Sequence, residues 1–301
     1  MILRPLVKPR ISPEQLARVA SAFIVALSLA CADDTPSTPS VDSKTVWTLV
    51  WSDEFDGPVG SPIDGTKWSY QTADGCKEGI CGWGNSEKEY YTDAAENIAL
   101  NGQGQLMIVA RRAPAGLTCY YGACQYTSGK ITTRDKMLAQ PGRVEARIKI
   151  PEGQGLWPAF WMLGHNYPTM PWPACGELDV MENKGSQPST TSSAVHGPGY
   201  SGQTPFAHSQ TLASGKFADD FHTFAVEWDS LHVTFFIDDY VHYVTTRDAV
   251  LKYGTSILDQ PFFVILNLAV GGHFDGDPQS DAILPATMLV DYVRVYKAEA
   301  K

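Results

Sequence analysis

Between Arg143 and Ile150 the apolar residues Val144, Ala146, Ile148 and Ile150 alternate strictly with Arg143, Glu145, Arg147 and Lys149. Successive side chains of a strand point to opposite faces, so this period of two marks a strand with one face buried and one in water. The same period recurs in Phe224, Val226 and Trp228 against Ala225, Glu227 and Asp229, and again in Val233, Phe235 and Ile237. From Phe262 to Val270 every residue is apolar except Asn267, the pattern of a strand buried on both faces. Turn residues recur at intervals of roughly 8–12 residues, and no long stretch of helical period follows the N-terminal leader. Together these features predict an all-β sandwich. A chain of 301 residues is long enough to build it as one large domain.

The N-terminus has a different character. Arg4, Lys8, Arg10 and Arg18 stand against Glu14 alone, and an uncharged, mostly apolar run from Val19 to Ala30 follows. A basic segment, a short apolar segment and small residues before a cut describe an export signal over residues 1–30, too short to span a bilayer. Ser28-Leu29-Ala30-Cys31 resembles a bacterial lipoprotein box, in which Cys31 is lipidated after cleavage; an ordinary signal peptide with a chance cysteine is the alternative. Residues 31–44 are polar and rich in Pro and Ser, with nothing to bury, and predict a disordered tether. The expected product is an exported protein, lipid-anchored at a bacterial cell surface or in the periplasm, and otherwise secreted. The leader carries +3 of a total of −10, which leaves −13 on the rest. So acidic a surface excludes nucleic acid as a partner and suits a neutral polysaccharide.

The chemistry concentrates in Gly176-Glu177-Leu178-Asp179-Val180-Met181-Glu182-Asn183. Glu177 and Asp179 share one face of a strand. Strict alternation would put Met181 beside them and turn Glu182 away; a one-residue bulge at Val180-Met181 would bring Glu182 back. Glycoside hydrolysis with retention needs two carboxylates about 5–5.5 Å apart, one to attack the anomeric carbon and one to protonate the leaving oxygen. At ~3.3 Å per residue the two glutamate α-carbons lie roughly 10–13 Å apart, so the side chains must lean together. Asp179, between them, would hold a proton and orient the nucleophile. Three tryptophans, Trp157, Trp161 and Trp172, precede this stretch among glycines and prolines. Their flat indoles suit stacking on the apolar faces of sugar rings.

The Glu-x-Asp-x-x-Glu pattern resembles the signature of glycoside hydrolase family 16, in its laminarinase-like branch. Trp51–Phe55, Gly82–Glu87, Tyr126–Ile131, Gly142–Arg147 and Asp291–Tyr296 match further stretches, so the resemblance runs from about Trp47 to Lys297. It implies a jelly roll of the concanavalin A type, over residues 45–301, with the glucan lying across a concave sheet. It also implies a retaining endo-β-1,3-glucanase with Glu177 as nucleophile and Glu182 as acid/base. Asn85 and Glu87 match a loop that contacts sugar hydroxyls, and His196 matches a histidine beside the cleft. Asn267 either satisfies a buried partner or faces the cleft. Agarases and carrageenases share the bulged motif, mixed-linkage glucanases usually lack the bulge, and non-catalytic glucan-binding relatives lack one or both glutamates.

No organic cofactor is implied and a monomer is expected. Many relatives bind one structural calcium ion, for which the counterparts here are Asp291 and backbone oxygens near Glu54 and Gly104. The acidic turn Asp275-Gly276-Asp277 is a rival place. Cys76 and Cys81, and Cys119 and Cys124, have equal gaps and in an exported protein predict two local disulfides, Cys76–Cys81 and Cys119–Cys124, with cross-pairing between the loops as the alternative. Cys175 is left over as a buried free thiol.

Overall fold

The computed structural model describes residues 45–299. The export signal, the tether and Cys31 lie outside the described residues. Two large sheets carry the fold. The cleft sheet runs Phe206–Thr211, Thr190–His196, Glu177–Asn183, Leu156–Gly164, Phe262–Val270, Lys130–Thr132 and Ser69–Tyr70, all antiparallel. The outer sheet is built on the long Ala286–Ala298 strand, with Gly142–Lys149 along one edge and Trp47–Asp53 and Leu106–Arg112 along the other. Among the described residues the α-helix is confined to the four-residue turn Arg247–Val250.

The predicted alternation sets what meets between the sheets. Val144, Ala146 and Ile148 of the outer sheet join Phe160, Met162, Leu178, Val264, Leu266 and Leu268 of the cleft sheet in one apolar core. All nine residues of Phe262–Val270 are buried, as the continuous apolar run requires. Its odd positions face away from that core. Phe263 and Ile265 form a second small cluster with Leu163 and Cys175, on the far face of the cleft sheet. That cluster buries the free thiol of Cys175. One polar position departs from the pattern. Glu145 is buried, because Arg143 binds its carboxylate and the Tyr296 hydroxyl donates to it. A carboxylate can sit there because its charge and lone pairs are met on the sheet surface.

Both disulfides close as local pairs, Cys76–Cys81 and Cys119–Cys124. The loops they brace are neighbours. Asp74 accepts the backbone N–H of Cys76 on one oxygen and that of Tyr120 on the other, and Tyr120 donates its hydroxyl to the carbonyl of Glu87. Gly82, at φ +60°, lies so close under the Tyr120 ring that an added Cβ would fall 2.8 Å from its hydroxyl oxygen. Glycine is required there for space as well as for backbone conformation.

Candidate active site

On one side of the Glu177–Asn183 strand Trp161 pairs with Asp179 and Phe160 with Met181, so Val180 is an extra residue. On the other side Asp179 pairs with Ala194 and Glu182 with Ser192, leaving two residues against Ser193. This is the expected bulge. Val180 and Met181 both enter the core beside Leu178, since the apolar environment below the sheet accepts both. The slip returns Glu182 to the face of Glu177 and Asp179. The Ser193 hydroxyl donates to the Val180 carbonyl at 2.7 Å, and Thr191 donates to the Glu182 carbonyl at 3.0 Å, so the irregular backbone keeps its partners.

Cross-strand pairing assembles the rest of that face. One row runs Ser192, Glu182, Ala159, Asn267, Lys130, and the next runs Ala194, Asp179, Trp161, Ile265, Thr132. The tryptophans divide in their use. Trp157 donates its indole N–H to Glu182 at 3.0 Å, whereas Trp161 donates to Asn267 Oδ1 at 2.7 Å. Trp172 alone of the three is exposed, at 44%, its ring 6.0 Å from that of His196. Asn267 resolves toward buried partners: it receives Trp161 and donates to the Tyr91 hydroxyl, which donates in turn to Glu87. Glu87 is itself buried and accepts from Asn85, so Asn85 is the member of that loop pair with open surface.

The carboxylates are strongly perturbed. Glu182 keeps part of its surface open, yet removal from water and then the charge of Glu177 push its pKa up to about 7, against the Trp157 N–H and Lys184, which draw it down. Burial, and next the neighbouring Asp179, lift Glu177 well above the usual carboxylate range. Asp179 is raised by burial and then by Glu182, with His196 opposing. Once either of these two adjoining carboxyls is ionised, ionisation of the other becomes harder, so they titrate as a pair.

His196 Nε2 lies 3.0 Å from Asp179 Oδ2, and the Gly202 N–H donates to its Nδ1 at 3.2 Å. Glu177, Asp179 and His196 each bring a ligand atom within 4.8 Å of the others, a spacing open to a metal ion. The imidazole argues against one. While Nδ1 accepts from Gly202, Nε2 of a neutral ring must carry the proton, and a cationic ring is protonated there as well, so no lone pair is free for a metal.

The residues matched to a calcium site fit such an ion only in part. Both oxygens of Glu54 accept from Arg294, and Asp291 accepts from Arg147. What is left is the Glu54 carbonyl, which lies near Gly104, the Gly104 backbone and one oxygen of Asp291. Calcium takes six to eight oxygens; the Asp56 carboxylate, nearer to Gly104 than the Glu54 carbonyl is, offers a further one, and water would have to complete the rest. The rival turn is a brace: Asp275 accepts the backbone N–H of Gly155 and of Ser186, and the Ser186 hydroxyl also donates to it.

Two site residues escaped the sequence reading. Lys130 is buried with its ammonium 3.9 Å from the centre of the Trp83 ring and 5.2 Å from that of Trp161, and among the described residues it forms no salt bridge. It lies in a stretch matched to the family, but nothing local singles out this lysine. Phe274 stacks on Trp157 with centroids 4.6 Å apart; its one sequence cue is its place just after Gly271-Gly272, at the end of the apolar run.

Two carboxyls brought by a bulge to one face of a sheet, one with its pKa near neutrality, on a two-sheet antiparallel sandwich: this combination defines a glycoside hydrolase of the β-sandwich class. The chain belongs to glycosyl hydrolases family 16, whose model matches residues 84–294. It is 37% identical to glucan endo-1,3-beta-glucosidase A1 of Niallia circulans over 88% of its length, and spans 39% of that relative. It is 36% identical to a beta-glucanase of Rhodothermus marinus, covering 92% of this chain and 94% of the other. The laminarinase catalytic domain of Thermotoga maritima MSB8 superimposes with a TM-score of 0.78 at 42% identity, covering 84% of this chain and 99% of that one. The jelly roll expected from the sequence is therefore the fold.

Proposed function

We propose that the protein is a retaining endo-β-1,3-glucanase that cleaves laminarin-type glucans. The observation that carries this reading is the bulge, which puts Glu177 and Glu182 on one face while Glu182 holds its proton up to about pH 7. Glu182 protonates the glycosidic oxygen as Glu177 attacks the anomeric carbon from the opposite side of the ring. The bond to the leaving sugar breaks, and the glucosyl group is left as an ester on Glu177. Glu182, now a carboxylate, takes a proton from water, which displaces Glu177 and restores the starting charges. For the attack the proton shared by the two carboxyls must pass to Asp179, so that Glu177 is anionic, and His196 holds Asp179 in place. Trp172, the exposed indole, supplies a stacking surface for a bound sugar.

The names of the relatives support β-1,3 linkages, and substrate profiling tests the choice. Reducing ends should appear faster from laminarin or curdlan than from barley glucan, agarose or carrageenan. Fastest release from agarose would overturn the assignment to β-1,3-glucan while leaving the fold intact.

The direction of the Glu182 shift sets a pH dependence. The acid works only while protonated, so on the alkaline side kcat/KM should fall tenfold per unit above about 7, with a separate acid limb where Glu177, itself raised, takes up a proton. An alkaline limb starting near the ordinary carboxylate range, about 4.3, would mean that Glu182 is not the proton donor.

The leader, the tether and the two disulfides support export to an oxidising compartment, with Cys31 as a lipid anchor. Cys31→Ser should move the protein from the membrane fraction to the soluble one, and mass spectrometry should find acyl groups on Cys31 of the parent protein. An unmodified mature form beginning at another residue would refute the anchor.

A further inference from the structure

The Gly271–Asp277 loop packs against the side chain that hydrogen-bonds to Glu182. Phe274 stacks on the Trp157 indole with an interplanar angle of 26°, and Lys184 places its ammonium 4.8 Å from the centre of the Phe274 ring. Trp157 in turn donates its N–H to Glu182 Oε1. The loop is pinned at both sides of this stack. Asp275 accepts from the Gly155 N–H at 2.8 Å, two residues before Trp157, and from the Ser186 N–H at 3.0 Å, four residues after Glu182. The His273 N–H donates to the Asn85 carbonyl at 2.9 Å, and the Gly271 N–H to the Gly155 carbonyl at 2.7 Å. One carboxylate thus ties together the loops that flank the Trp157 strand and the Glu182 strand.

We propose that Phe274 is a positioning residue for the proton donor: clamped by Asp275, its ring fixes the Trp157 indole so that the N–H stays aimed at the Glu182 carboxylate. An indole has one donor, in the ring plane, so its hydrogen bond depends on the tilt of the ring. Stacking on one face sets that tilt at little entropic cost, because an aromatic side chain has only two torsions. The groups that face the Glu182 carboxyl are Glu177, Asp179 and Lys184 from its own strand, Glu87 from the Asn85 loop and Trp157 from the next strand. Trp157 and Lys184 favour the charged form, and Phe274 touches both. Loosening the stack weakens both and so keeps Glu182 protonated to higher pH, whereas admitting water would act the other way, and a lowered midpoint would therefore overturn the proposal.

This inference rests on the acid/base reading of Glu182 only for its effect on turnover; its direct test does not. The titration of Glu182 can be followed in the resting protein by carbon NMR of labelled glutamate, assigned with Glu182→Gln. Phe274→Leu should raise the midpoint by about one to two units, the size expected for one hydrogen bond to a charged group. Trp157→Phe, which keeps the stack and removes the N–H, should raise it by about as much. The double variant should fall clearly short of the sum of the two shifts, since both changes act on the Trp157 hydrogen bond and only the Lys184 contact belongs to Phe274 alone. Phe274→Tyr, which preserves the ring, should leave the midpoint in place and covers the case in which the leucine variant folds poorly. In kinetics the alkaline limb of kcat/KM should move up with the titration. An unmoved midpoint in Phe274→Leu accompanied by a raised KM would make Phe274 a wall of the sugar site and overturn the proposal, as would additive shifts in the double variant.

Discussion

Glu177→Ala should lower hydrolysis of every glucan by on the order of 10⁴-fold or more, the scale seen when a covalent nucleophile is removed. Without that carboxylate no glycosyl ester forms, and the remaining groups act on a bond that nothing attacks. Glu182→Ala should differ in a diagnostic way. On laminarin the leaving sugar needs a proton, so the loss should be about 10²- to 10⁴-fold. An activated aryl β-glucoside needs none, and its first step should survive. Azide, small enough to enter the space left by the side chain, should then restore turnover and give a β-glucosyl azide. Retention in that product requires an attack on each face in succession, and so an ester on Glu177. Asp179→Asn should fall between the two, because it alters the shared proton without deleting a reacting group. An α-configured first product from the parent enzyme would mean inversion. An α-azide from Glu182→Ala, with a β-azide from Glu177→Ala, would exchange the roles of the two glutamates, since the variant that lacks the nucleophile is rescued by a single, inverting attack.

The second large effect is expected in stability, at the residue beneath the bulge. Phe160 is fully buried in the core, paired with Met181 on one side and Leu266 on the other. Phe160→Ala removes a ring from a site where the bulge already forces two consecutive side chains inward. The strands on either side are held by their ladders and cannot close the space, so the cost should be about 3–5 kcal/mol. For a domain of this size that lowers Tm by roughly 10 °C. Phe160→Leu, which keeps most of the volume, should lose less. Thermal unfolding followed by circular dichroism measures both, and a shift of under about 2 °C for the alanine variant would show that the core beneath the bulge collapses freely. At temperatures where both proteins are folded, Phe160→Ala should still be the slower enzyme, since the slip that presents Glu182 is seated on the same packing.

Much of this was legible in the chain alone, because it depends on local order. The period of two in Arg143–Ile150 and the apolar run Phe262–Val270 specified strands and their buried faces. The spacing of Glu177, Asp179 and Glu182 required a bulge before the second glutamate could act with the first, and the structure has it at Val180-Met181. The equal gaps in Cys76–Cys81 and Cys119–Cys124 pointed to local pairs, and both close that way. What the sequence could not supply is any partner brought together by the closing of distant loops. Phe274 meets Trp157 and Asp275 meets Gly155 across more than a hundred residues. Glu145 is buried because Tyr296 reaches it from another strand, and Asn267 could be settled only once Trp161 and Tyr91 were seen on either side of it. Face and period follow from the geometry of one strand and are written residue by residue. The partner of a polar side chain follows from register and loop closure between strands, which no stretch of the chain carries by itself.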